Sequence, residues 1–273
     1  MGERRGGGFW ALLVVFVLFV LFLYGPIFTI VVLSFQGPDG GLVFPMRGVS
    51  LHWFAELFRP QSIGDIGGAF QRSLILGLVV MALTVLFAFL AGLAFRRRFQ
   101  GATLLFYIAV ASLIMPSVVV SLGIGAAFEL LGLPRNWYGS ALGAHLTWTL
   151  PFGLLIMFAV FNRFDPSFEE AARDQGATGW QTIRHVVLPI VAPSLLGVAL
   201  FGFTLSYDEL ARTSQAVGYA NTLPLELQAM QSNATTPVIY ALGTLTTALS
   251  FLVIFTTIGT VLWLRRRARQ KIA

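Results

Sequence analysis

Residues 9–35, "FWALLVVFVLFVLFLYGPIFTIVVLSF", run for 27 positions without an Asp, Glu, Lys or Arg. A helix of about 20 apolar residues crosses roughly 30 Å of hydrocarbon. Lipid offers no water to free backbone groups, so a segment this long and this continuous reads as a helix. Barrel strands are only about ten residues long and alternate in polarity. Five further uncharged runs repeat the pattern. Together they predict an all-α integral membrane protein with six transmembrane helices, at approximately 9–34, 73–95, 103–128, 141–161, 188–207 and 239–264, in one domain over 1–273. The composition agrees: 56% of residues are hydrophobic and 11% are charged, whereas a soluble domain carries about a quarter charged residues. Pro26, Pro116, Pro151, Pro189 and Pro193 fall in or beside these runs, where a membrane bundle converts proline into kinks more often than ends.

The first run follows Arg4 and Arg5 as a secretory signal would, but it is too long for a signal's apolar core and no small-x-small cleavage pattern follows. It is read as an uncleaved first span. With the amino terminus inside, 13 of the 18 Arg and Lys residues fall on inner segments. The outer segments keep Arg47, Arg59, Arg72, Arg135 and Arg212. This asymmetry predicts that both termini are cytoplasmic. The net charge of +6 is then a topology signal rather than a nucleic-acid footprint. The basic tail "RRRARQK" suits anionic lipid headgroups.

Outside the spans, 36–70 holds "GPDGG", which is turn chemistry, and "LHWFAELF". The latter puts Leu51, Phe54, Leu57 and Phe58 on one face of a short surface helix. Gly139 and Gly143 have close-packing spacing, a weak signal in a chain with 28 glycines. The inner segment 165–187 is the richest in signals. Asp165-Pro166 offers a helix start, and Ser167 with Glu170 has capping-box spacing. Gly176 is placed to end the helix, and Thr178 with Gln181 starts a second one leading to Pro189. On the first helix Phe168, Ala171, Ala172 and Gln175 share a face, while Glu169 and Arg173 point elsewhere. Small side chains permit close approach of another surface, which suggests a docking element; an amphipathic helix resting on lipid or on its own bundle is the alternative.

The pattern Glu170-Ala171-Ala172, then Gly176, then Leu188-Pro189 resembles the EAA loop of permease subunits of ATP-binding-cassette importers. The stretch "EEAARDQGATGWQTIRHVVLPIVAPSLLGVALFGFTLSYDEL", with "LHWFAELF" and "NTLPLEL", is similar to the spermidine and putrescine branch. The branch usually has Leu where Gln175 stands and Gly-Pro where this chain reads "VGYAN" at 217–221. The resemblance implies a type I ABC importer permease (MetI-like) architecture in a bacterial inner membrane. It implies a polyamine or a related amine or amino-acid-like solute. It also implies that Phe168, Glu170, Ala171, Ala172, Arg173, Gly176 and Ala177 seat a coupling helix on an ATPase. The partners so implied are an ATPase dimer, a second, different and related permease chain, and a periplasmic or extracellular solute-binding protein.

Nucleotide chemistry belongs elsewhere. A phosphate-cradling loop needs a lysine after its second glycine, and the sole lysine is Lys271 in the tail. No cofactor is expected on this chain, and ATP and Mg²⁺ are expected on the partner ATPase. No metal cluster or catalytic triad is apparent, so the chain does not read as an enzyme. For the solute path, Tyr207, Asp208 and Glu209 close span five; they either attract a cationic solute or form a solvated turn. His145 and Trp148 share a face of span four, where they either line the path or pack. An ion-coupled carrier is the competing function, and it calls for acids deep in the spans and a duplicated half; neither is evident.

Overall fold

The computed structural model describes residues 6–59, 64–96, 99–233 and 237–270. Arg4, Arg5, Arg97, Arg98 and Lys271, which carry part of the orientation argument, lie outside the described residues, as do the side chains of Arg265, Arg266, Arg267 and Arg269. Helices are the regular structure of the described residues, joined by turns and loops, with one isolated antiparallel bridge, Gln36 to Val49. Among the described residues, five helical stretches are long and apolar enough to cross a membrane: Gly7–Leu33, Ile66–Phe95, Ser140–Phe161, Gly179–Tyr207 and Val238–Thr260. A bent pair, Ala102–Ile114 with Ser117–Leu130, makes a sixth if it is one broken span.

The chain divides into two compact units. The first, residues 1–64 and 229–249, contains α1 (Gly7–Leu33) and α2 (His52–Glu56). Its loop is built around the buried side chain of Gln36, whose Nε2 donates to the Gly41 carbonyl at 2.8 Å while its Oε1 accepts from the Arg47 N–H at 2.9 Å. The surface helix expected around 51–58 is only one turn and a half. Phe54 packs on Phe35 and Leu57 is buried, but Leu51 and Phe58 remain exposed, so the four residues form no single buried face.

The second unit, residues 65–228 and 250–273, holds α3 (Ile66–Phe95), α4 (Ala102–Ile114), α5 (Ser117–Leu130) and α6 (Ser140–Phe161), followed by α7 (Ser167–Asp174), α8 (Gly179–Thr182) and α9 (Leu188–Tyr207). α10 (Leu223–Asn233) and α11 (Val238–Gln270) complete the chain. α3 starts seven residues before the expected span at 73, because Asp65 caps it by accepting from the Gly68 N–H at 2.9 Å. Its core lies where α3, α6 and α9 pack together, and small residues set the spacing. A Cβ on Gly153 would sit 2.9 Å from the Ala88 Cβ, and one on Gly202 would sit 3.3 Å from the Met81 Cα. Thr84 donates to Thr149 at 2.8 Å across this buried interface. Gly143 has nothing within 4 Å of a built Cβ, so its spacing from Gly139 marks no close contact.

Pro26, Pro151 and Pro193 sit inside continuous helices. Pro116 does not. The expected single span 103–128 is broken there, with a bend of 111° between α4 and α5. Met115 and Pro116 both leave the helical region, at ψ 135° and 128°. Crowding by the proline ring disfavours helix for the residue before it.

Candidate functional site

α7 begins differently from the expected capping box. The Asp165 carboxylate accepts the Ser167 N–H at 2.9 Å, and Glu170 takes no part in capping. The N–H and then the hydroxyl of Ser167 hold the Asp165 carboxyl below its ordinary range. The helix ends as the glycine signal indicates: Gly176 adopts φ +82°, the Ala177 N–H bonds the Ala172 carbonyl at 3.0 Å, and the Gly176 N–H bonds the Arg173 carbonyl at 2.8 Å. This double closure satisfies carbonyls that a helix end leaves free. Thr178 and Gln181 then form the expected reciprocal capping box and open α8. The second inner helix does not stop before Pro189. It continues through a π-helical turn, Ile183–Val187, into α9. The proline has no N–H for the usual ladder, and the wider turn absorbs that gap.

Of the residues singled out here, Phe168, Glu170, Ala171, Arg173 and Gly176 are exposed, whereas Ala172 and Ala177 are half-buried. Trp180 on α8 adds a second large exposed ring. The inward side of α7 is Glu169, its one buried residue. The Glu169 carboxylate lies 2.5 Å from Arg96 at the end of α3 and 3.1 Å from Arg173. The Arg96 contact is charge against charge, since Glu169 Oε1 has no well-aligned hydrogen bond. The Arg96 guanidinium also sits 5.1 Å from the Phe161 ring centroid and 5.0 Å from that of Phe164. A cleft of about 960 Å³ opens beside this cluster, bordered by Arg96, Asn162, Glu170, Arg173 and Thr182. Sequence reasoning set Glu169 off the alanine face but missed its partner, which lies 73 positions earlier in the chain (169 minus 96).

The solute-path candidates fall on a different feature. The loop 208–222, which carries the outer Arg212, folds back into the bundle. Ser140 donates to the Ala216 carbonyl at 2.6 Å, the Gln215 N–H donates to Ser121 at 3.0 Å, and Ala216 and Val217 pack with Ala141 and Ala144. His145 is 1% exposed and held between Ser206 at 2.7 Å and Thr213 at 2.8 Å. Trp148 is half-buried, and its ring carries the Arg212 guanidinium 4.7 Å from its centroid. Tyr207 is buried and stacked on Phe203, with its hydroxyl unpaired. Asp208 is exposed. Glu209 is half-buried and accepts the Arg212 N–H at 2.8 Å. The structure thus joins Trp148 and Glu209 through Arg212, and His145 through Thr213. In the sequence Arg212, the one charge between 210 and 225, counted only toward orientation, and nothing there marked it as buried.

At the far end of the loop, Glu226 accepts the Asp65 N–H at 2.7 Å and the Asn221 amide at 2.8 Å, and Arg72 donates to the Asn221 carbonyl at 2.7 Å. The Gly68 N–H and then Arg72 hold the Asp65 carboxyl below its ordinary range.

A family model described as "Binding-protein-dependent transport system inner membrane component" matches residues 84–270. The spermidine/putrescine transport system permease protein PotC of Haemophilus influenzae is 29% identical over 230 residues, covering 84% of this chain and 88% of that protein. The putrescine transport system permease protein PotI of Escherichia coli K12 is 29% identical over 247 residues, covering 85% of this chain and 84% of its own. Among solved structures, a bacterial ABC transporter involved in the import of the acidic polysaccharide alginate matches with TM-score 0.67 and 15% identity, covering 92% of this chain and 94% of that one. The MetNI methionine ABC transporter matches with TM-score 0.54 and 20% identity, covering 72% of this chain and 96% of that one. At these identities the likeness concerns the fold.

Proposed function

The chain belongs to the family of binding-protein-dependent transport system inner membrane components, and from that premise we propose that it is the permease subunit of an ATP-driven importer, with α7 as the element its ATPase grips. The observation that carries this reading is the two-sided character of α7. One side is anchored inward through Glu169 and Arg96, while Phe168, Glu170, Ala171 and Gly176 are left open. Exposed rings at Phe168 and Trp180 favour a protein partner there, because large apolar groups left in the open mark contact sites. Glu170 offers a carboxylate to a basic group on that partner, and Ala171 lets the partner backbone approach.

ATP and Mg²⁺ are then bound and hydrolysed on a separate subunit. The permease pairs with a second permease chain and receives solute from an external binding protein. Both termini and α7 lie on the cytoplasmic side, as the excess of Arg on the inner segments requires. A polyamine as the solute is supported by the names of the relatives, which are spermidine/putrescine and putrescine permeases. Closure of the ATPase dimer biases the bundle between its two openings by binding one α7 arrangement better than the other.

The chain contains no cysteine, so Ala171→Cys introduces a unique thiol. In the assembled complex this thiol is expected to crosslink to the ATPase subunit, and a cysteine at Leu104 on α4 is not. Absence of any ATPase adduct from position 171, in a complex that still copurifies with ATPase, would refute the docking assignment.

A further inference from the structure

The buried arginine of the loop 208–222 has a role that neither its outer position nor the transport reading supplies. Arg212 is 0% exposed. No salt bridge reaches it among the described residues, and its Nε–H is buried without a partner. A guanidinium held inside a membrane bundle under these terms is costly, so its contacts must return something specific.

Those contacts fall on two proline-made vacancies. In an α-helix each carbonyl accepts from the N–H four residues ahead, and proline has none. Pro116 therefore orphans the Ser112 carbonyl, and Pro151 orphans the Thr147 carbonyl. Arg212 Nη2 donates to the Ser112 carbonyl at 3.2 Å. The Ser112 hydroxyl lies 2.8 Å from both the Thr147 and the Ala109 carbonyls and shares its one proton between them. Arg212 Nη1 donates to the Thr147 hydroxyl at 2.6 Å, and that hydroxyl in turn donates to the Ala144 carbonyl at 2.6 Å. The Trp148 ring closes the other side of the guanidinium. Apart from the Nε–H, the guanidinium is answered in this way only while α4 keeps its place against α6 with the loop inserted.

We propose that Arg212 is the pin that holds the third span broken: it stands in for the N–H missing at Pro116, fixes the α4–α5 elbow, and so makes the position of the loop 208–222 and the shape of the span one coupled element. Withdrawal of the loop leaves the Ser112 carbonyl unanswered. The elbow then has to move toward a straighter helix, in which water or a shifted turn answers it. Arg212 is thus a positioning residue of the permease, acting on the span rather than on solute, and the inference requires only that the chain works as a membrane permease.

The test uses the assembled complex in lipid nanodiscs, with spin labels on cysteines placed at the exposed Leu105 of α4 and Leu122 of α5, because no native cysteine in this chain competes. The unsubstituted elbow is expected to give one narrow distance. Arg212→Met is expected to give a longer and broader distribution and an uptake rate lower by about tenfold. Pro116→Ala restores the intrahelical donor to Ser112, so adding Arg212→Met to it is expected to change the distance no further. An unchanged distance in Arg212→Met, or effects of the two substitutions that simply add, overturns the proposal. If Arg212→Met fails to assemble, Arg212→Lys serves instead. One ammonium group cannot occupy both acceptors in the same geometry, so a partial shift is expected, and a distance and uptake matching the unsubstituted protein overturn the proposal equally.

Discussion

Reversing the charge of Glu169 tests whether force on α7 enters the bundle through Arg96. The two side chains keep 12% and 23% exposure, and α7 has no other buried residue. Removing one partner of a fully buried pair costs about 3–5 kcal/mol. Partial solvent access at Arg96 lowers the expected figure to about 2 kcal/mol. At about 1.4 kcal/mol per decade, that shifts the balance between seated and detached α7 roughly 30-fold. Glu169→Arg also places a third cation beside Arg96 and Arg173, so the shift is a minimum. In proteoliposomes containing the whole importer, Glu169→Arg and Arg96→Glu are each expected to cut uptake by at least an order of magnitude while ATP hydrolysis continues. The double variant Arg96→Glu with Glu169→Arg restores opposite charges and is expected to recover a substantial part of the uptake. Normal uptake in either single variant refutes the argument. So does a double variant as poor as the worse single one, because loss of packing alone gives no recovery on exchange.

Two further substitutions test how α7 is closed and how the core is spaced. Gly176→Ala forces a side chain into φ +82°, which costs about 1–2 kcal/mol; a Cβ there meets nothing within 4 Å, so the expected loss is conformational, seen as faster amide exchange at 174–177 with reduced uptake, and unchanged exchange counts against it. Gly153→Ala puts a Cβ 2.9 Å from Ala88, 3.0 Å from Thr84 and 3.2 Å from Val198, an overpacking expected to cost about 1–3 kcal/mol; Gly143→Ala, with open space around it, is the control expected to leave the thermal midpoint of the purified complex in place.

The parts of this molecule visible in its sequence are those governed by local chemistry. Uncharged runs mark the spans because lipid tolerates no unsatisfied backbone. Gly176 marks the end of α7 because a left-handed cap favours glycine, and Thr178 with Gln181 forms its box because both partners lie within one turn. Where two local signals competed, as at the start of α7, the Asp165 carboxylate reached the Ser167 N–H and the Ser167–Glu170 pairing did not form. What stayed hidden depends on residues distant in the chain. Glu169 finds Arg96, Glu226 finds the Asp65 backbone, and the loop 208–222 finds Ser121 and Ser140. A segment with little charge and many small polar residues reads as an exposed connection until its hydrogen-bond partners are known.

The prolines make the same point in one comparison. Pro151 and Pro116 are alike in sequence: each follows an apolar stretch and removes one ladder bond. Yet α6 continues unbroken past the first, while α4 and α5 part by 111° at the second. Around Pro151 the orphaned Thr147 carbonyl is answered by a serine on the neighbouring helix, a bond that needs no change of course. Around Pro116 the answering donor is Arg212, which arrives from outside the helix and needs room. Opening the helix there gives the guanidinium a place between the elbow and Trp148, and the bend follows from what fills the gap as much as from the residue that made it.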